Sequence, residues 1–124
     1  MEITAFKIDV SERKVYKVEL EQSDLQTYYE QIGNGCSMIE VAEVMGTYTF
    51  WCDEEGRINN SPIGGVVLML PTSHSPITIC GNVLITGTNP STGESISATG
   101  ITASEIRQLI HKFLTEEESA SLQL

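Results

Sequence analysis

Apolar and polar residues alternate from the start of the chain. In "TAFKIDV", Thr4, Phe6, Ile8 and Val10 share one face of an extended strand. In "KVYKVEL", Tyr16, Val18 and Leu20 stand opposite Lys17 and Glu19, and the polar "SERK" at 11–14 lies between the two runs. This predicts a β-hairpin with one buried face. The period then changes. Leu25, Tyr28, Tyr29 and Ile32 fall at helical spacing, and Ser23 with Gln26 forms an S-x-x-Q capping box. "GNG" at 33–35 ends this helix, because Gly and Asn tolerate the left-handed conformation of a C-cap. The tyrosines are expected to pack on a sheet.

"SMIEVAEVM" and "TYTFWCD", rich in β-branched and aromatic residues and divided by Gly46, predict two further strands. In the second, Tyr48, Phe50 and Cys52 share one face, and Thr47, Thr49, Trp51 and Asp53 the other. Trp51 thus sits among polar neighbours, either under a helix or as a partly exposed aromatic of the kind that anchors interfaces. "DEEGR" at 53–57 reads as a turn, with Gly56 supplying positive φ. "IGGVVLML" at 63–70 suits a buried strand or a short helix equally. "PTSHSP" is a loop, "ITICGNVLITG" at 77–87 one strand with Gly81 at a bulge, "TNPSTGE" a turn, and "SISA" a short returning strand. At the end, Thr102 and Glu105 make a T-x-x-E capping box. Ile106, Leu109, Ile110, Phe113 and Leu114 form one helical stripe. "EEES" and the residues after it are expected to fray. The order ββ-α-ββ-(β)-ββ-α predicts an α+β fold: a small antiparallel or mixed β-sheet with two helices packed on it.

Length and charge narrow the picture. The chain has 124 residues, the size of one domain able to bury its own core. Lys and Arg total 7 against 17 for Asp and Glu, a formal charge of −10. That argues against direct nucleic-acid binding, which needs cations on phosphates, and against anionic membrane surfaces. It permits a basic partner or mimicry of DNA. No apolar run approaches the ~18 residues of a membrane span, and "MEITAFKIDV" lacks the apolar core of a signal peptide. The three cysteines, Cys36, Cys52 and Cys80, are odd in number and widely spaced, which suits a reducing cytosol.

Candidate chemistry is sparse. His74 lies in a loop between two serines, and His111 beside the apolar stripe of the last helix; adjacent Ser and His in sequence do not make a catalytic dyad. No zinc spacing exists. "GTNPSTGES" has five residues between glycines where a phosphate loop needs four, and Glu94 where that loop needs Lys. The acids Asp53, Glu54 and Glu55 lack the alternating pattern of a Ca²⁺ loop and point in different directions, which does not suit paired acid–base work. These features predict no catalytic residue, no metal and no cofactor.

With the strands placed, "MIEVAEVMGTYTFWCDEEGRINNSPIGG", "ICGNVLITG" and "TGESISATGITASEIRQLIHKF" together resemble the DUF3846 family. The shared features are the I-E-V strand at 39–41, the D-E-E-G turn at 53–56, Pro62, the G-N-V-L-I-x-G strand at 81–87 and a C-terminal helix at 102–114. This chain departs from the family in carrying Gly64 and Gly65 where members often have an asparagine after the proline. The resemblance divides the single domain 1–124 into an N-terminal hairpin and helix (1–35), a DUF3846-like core (37–114) and an acidic tail (115–124). It implies a small protein of phages or other mobile elements, acting in the host bacterial cytosol.

Two readings of function follow, with an enzyme acting on a signalling nucleotide as a third that the missing catalytic constellation disfavours. In the first, the chain is a non-enzymatic binding protein that counters host defence by sequestering a nucleotide-like immune signal. Arg57 would pair with phosphate, Asn59 and Asn60 would read base edges, Trp51 would stack, and a homo-oligomer would build pockets between copies. In the second, an acidic face made by Glu40, Glu43, Asp53, Glu54 and Glu55 docks on a basic host defence protein as an inhibitor or DNA mimic.

Overall fold

The computed structural model describes residues 1–56 and 63–122. Nine strands and three short helices form the described part. Strands β1 (Glu2–Asp9) and β2 (Lys14–Glu21) pair antiparallel through their full length as the expected hairpin. They are followed by α1 (Leu25–Ile32), β3 (Ile39–Met45) and β4 (Tyr48–Asp53). Then come β5 (Gly65–Leu68), β6 (Ile77–Cys80), β7 (Val83–Thr88), β8 (Ser95–Ile96), α2 (Ala103–Gln108), β9 (Ile110–Leu114) and α3 (Glu116–Ala120).

The strands make two antiparallel sheets. The larger runs β2-β1-β7-β4-β3, with β8 pairing the far end of β7; the smaller runs β6-β5-β9. One face of the larger sheet meets the smaller sheet and α2. Phe6, Ile8, Val15, Phe50, Val83 and Ile85 pack there against Val66, Leu68, Ile79 and Ile106. The other face takes α1: Tyr28 and Ile32 pack on Ile3, Ala5, Val18, Leu20 and Leu84. The fold is α+β and mainly antiparallel, but it carries three short helices where the sequence pattern predicts two.

This layering explains several departures from the pattern. The hairpin does not bury one face only: on β1, Phe6 and Ile8 enter the first cluster while Ile3 and Ala5 enter the second, because β1 lies inside a three-layer stack. α1 is capped by Asp24, whose carboxylate accepts from the Gln26 N–H, rather than by Ser23. Leu25 is left exposed. The apolar run 63–70 resolves as β5, buried along its whole length.

"ITICGNVLITG" is not one strand. Gly81, at φ +93°, breaks it into β6 of the smaller sheet and β7 of the larger. The stripe predicted as one helix over 102–114 also divides. Thr102 and Glu105 do form the capping box, but the helix stops at Gln108 and 110–114 becomes β9. β5 is buried on both faces, so its backbone groups need a strand on each side. β6 fills one side and β9 the other, with Val66 opposite Phe113 and Gly65 opposite Leu114. That demand outweighs the helical spacing, and His111 consequently lies exposed on a strand. The tail does not simply fray: Thr115 and Glu118 form a further capping box that starts α3.

Candidate functional site

The two sheets diverge at one edge, and a crevice of about 240 Å³ opens there. β3 supplies Glu40, Val41 and Ala42; β4 supplies Cys52 and Asp53; the following turn supplies Glu54 and Gly56; β6 supplies Ile77, Thr78, Ile79 and Cys80. The turn is pinned by Asp53. Its Oδ1 accepts the Glu55 N–H at 2.9 Å and its carbonyl accepts the Gly56 N–H at 3.1 Å. The Glu54 N–H continues the β3–β4 ladder to the Met38 carbonyl at 2.9 Å.

Gly56 sits at this bend for a different reason from the positive φ that the sequence suggests, since it is not among the residues at positive φ. A Cβ at this position would stand 2.6 Å from the Cys80 carbonyl oxygen. The glycine lets β6 close against the turn, and the close approach it allows is used by the chain itself.

The crevice is acidic. Glu40, Asp53 and Glu54 line it with no Lys or Arg among the described lining residues. Among the described residues no ion pair involves any of the three. The adjoining thiols respond to this field. Burial pushes the Cys52 thiol up to about 12, with the Glu40 and Asp53 carboxylates adding to the shift. Burial, then Asp53, raises Cys36 to about 11. Cys52 Sγ points its proton toward Glu40 Oε1 at 3.9 Å. Both thiols are therefore protonated at neutral pH, the opposite of what a nucleophilic cysteine needs.

This arrangement has a consequence for stability. A thiol whose folded pKa is raised contributes stability that is complete below its ordinary value, near 9, and lost as pH climbs through about 11 and 12. The melting temperature is expected to fall from pH 9 to pH 11 more steeply in the parent than in Cys52→Ala. Parallel slopes in thermal scans would contradict this account of Cys52.

Of the residues singled out from sequence, the structure brings Glu40, Asp53 and Glu54 together. Glu43 and Glu55 do not line the crevice; the Glu43 carboxylate accepts its neighbour's Val44 N–H at 3.0 Å. Arg57, Asn59 and Asn60 lie outside the described residues. Trp51 is turned to the other side of the sheet. Its Nε1 donates to Thr86 Oγ1 at 3.0 Å and its ring packs beside the α1 cluster. It lies under the helical layer and does not line the crevice. Thr78 and Cys80 were missed, because the pattern of 77–87 carries no sign that the chain changes sheets at Gly81. Among the described residues no group of three or more His, Cys, Asp or Glu is placed to hold a metal ion. Among them, too, no helix is long and apolar enough to cross a membrane.

Compared with known families, the chain matches the model of DUF3846, described as a domain of unknown function, over residues 3–112. The match begins in β1, so the hairpin and α1, which the sequence resemblance left out, fall within the family unit. No curated protein and no solved structure matches the chain.

Proposed function

This chain belongs to the DUF3846 family, and from that premise we propose that it is a non-enzymatic binding protein whose acidic crevice edge receives a basic protein partner. The observation that carries this reading is the lining of the crevice: three acidic residues and no Lys or Arg among its described residues. A lysine or arginine side chain entering there gains attraction from Glu40, Asp53 and Glu54 and loses little hydration at an open edge. In the mobile-element setting that the family resemblance implies, the partner is a host defence protein.

Sequestration of a nucleotide-type signal ranks second. The crevice, at about 240 Å³, falls below the roughly 300–1,000 Å³ usual for small-molecule sites and its acidic residues repel phosphate, whereas clefts of about 420 and 470 Å³ lie elsewhere on the chain. Mass analysis of ligand released on heating tests this second reading directly, since a recovered intact nucleotide would displace the first.

The acidic-edge reading is tested by titrating the full chain with a lysine-rich peptide. Glu40→Lys with Glu54→Lys is expected to weaken binding on the order of tenfold, as two partly exposed ion pairs of up to about 1 kcal/mol each imply. Glu116→Lys with Glu117→Lys, which changes net charge equally on α3, is expected to weaken it much less. Equal losses in the two double variants would show only general charge attraction and would overturn the proposal.

A further inference from the structure

β3 is the last strand of the larger sheet, and no strand pairs its outer side among the described residues. Its pairing with β4 is interrupted by a bulge between Val41 and Glu43. Before the bulge, Glu40 stands opposite Cys52 and Val41 opposite Trp51; after it, Glu43 stands opposite Phe50 and Val44 opposite Thr49. Trp51 and Thr49 share one face of β4, and Cys52 and Phe50 the other. Residues three apart on a regular strand point to opposite faces. The extra residue, Ala42, cancels that parity. It puts Val41 and Val44 together on one face and Glu40 and Glu43 together on the other.

The edge is thus sorted into an apolar side and an acidic side. Val41 and Val44 are each 49% exposed and Met38 50%, which is large for apolar side chains grouped on one edge. Along the chain, the described part of this edge carries charge of one sign, for no Lys or Arg occurs between Lys17 and Arg57. The opposite edge of the same sheet, β2, carries both signs in Lys14, Lys17, Glu19 and Glu21.

We propose that the outer edge of β3 accepts an extended segment of a partner protein as an added strand, one in which basic and β-branched residues alternate. This rests on the acidic-edge reading above and specifies how the partner engages. Main-chain hydrogen bonds to an exposed edge supply affinity, and side chains alternating between the faces supply specificity. Apolar residues of the added strand cover Val41 and Val44. Its cations lie along Glu40 and Glu43, and the one nearest Glu54 reaches the crevice. A second copy of β3 is a poor occupant, because it would set glutamate against glutamate.

The test uses the full chain and a synthetic octapeptide of alternating lysine and valine, beside the same peptide N-methylated on alternate residues along one edge. Trp51, the only tryptophan, lies opposite Val41 and reports binding by fluorescence; amide hydrogen exchange locates it. The unmodified peptide is expected to bind and to slow exchange in 39–45 by tenfold or more. N-methylation on the pairing edge is expected to cost at least tenfold in affinity, and a glutamate–valine peptide is expected not to bind. Equal binding of the N-methylated peptide, with sensitivity to Glu40→Lys and Glu54→Lys intact, would overturn the added strand and leave the acidic-edge reading standing. Binding of neither cationic peptide would overturn both. Protection of β2 or β9 in place of β3, or protection of 39–45 in the chain alone through dimerisation, would also overturn the strand proposal.

Discussion

Asn82→Leu is expected to lower stability by about 3 kcal/mol, from two buried backbone groups left unpartnered at about 1–3 kcal/mol each. Asn82 is buried just before β7, and its amide joins two separate elements. Oδ1 accepts the Val10 N–H at 2.8 Å, just past the end of β1, and Nδ2 donates to the Ile32 carbonyl at 2.9 Å, at the end of α1. Leucine matches the side chain in size but offers neither contact. The melting temperature should fall by roughly 10 °C for a domain of this length. A shift of less than 2 °C would mean that the amide does not hold these ends together. The same contacts give the G-N-V-L-I-x-G segment a physical meaning. Gly81 turns the chain from one sheet to the other, and Asn82 ties the crossing point to β1 and α1. Val83, Leu84 and Ile85 are then buried on both faces, as a central strand requires.

Phe50→Ala should cost more, about 3–5 kcal/mol. Ile85 of β7 is in register with Phe6 on one side and Phe50 on the other, so the three side chains form a row across the middle of the larger sheet. The smaller sheet packs on that row. Phe50 is 0% exposed, and its removal opens a cavity that β-strands on both sides hold apart. Against a usual domain stability of about 5–15 kcal/mol, this loss takes the chain close to unfolding. Phe50→Leu keeps most of the volume and should cost under about 1.5 kcal/mol. Urea denaturation of the two variants decides the matter, since similar midpoints would show that the row is not tightly packed.

Much of the fold was legible along the chain. Alternation located β1 and β2, and β-branched and aromatic composition on either side of Gly46 located β3 and β4. Gly33, at φ +70°, was correctly read as the end of α1. The C-terminal stripe identified two residues that do become buried, Ile106 and Leu114, yet it read Ile110, Phe113 and Leu114 as helix although they lie in β9. Spacing reports which side chains face inward. It does not report which backbone groups lack partners, and the unpaired side of β5 turned 110–114 into a strand. The acids of the crevice were named from sequence as part of a face. Which of them converge was fixed by β6, a neighbour distant in the chain.

By itself, then, the sequence determined the local elements with two-residue or helical periodicity, their caps at Thr102 and Gly33, and the acidic character of the β3–β4 region. It determined these because propensity, capping and side-chain alternation act between residues a few positions apart. The tertiary structure alone decided that 77–87 spans two sheets, that Gly56 is needed for the approach of Cys80, and that Glu40, Asp53 and Glu54 border one crevice. It alone decided that a bulge at Ala42 gathers Val41 and Val44 on one face. These outcomes depend on strand pairing between distant segments, where a single extra residue reverses which way every later side chain points.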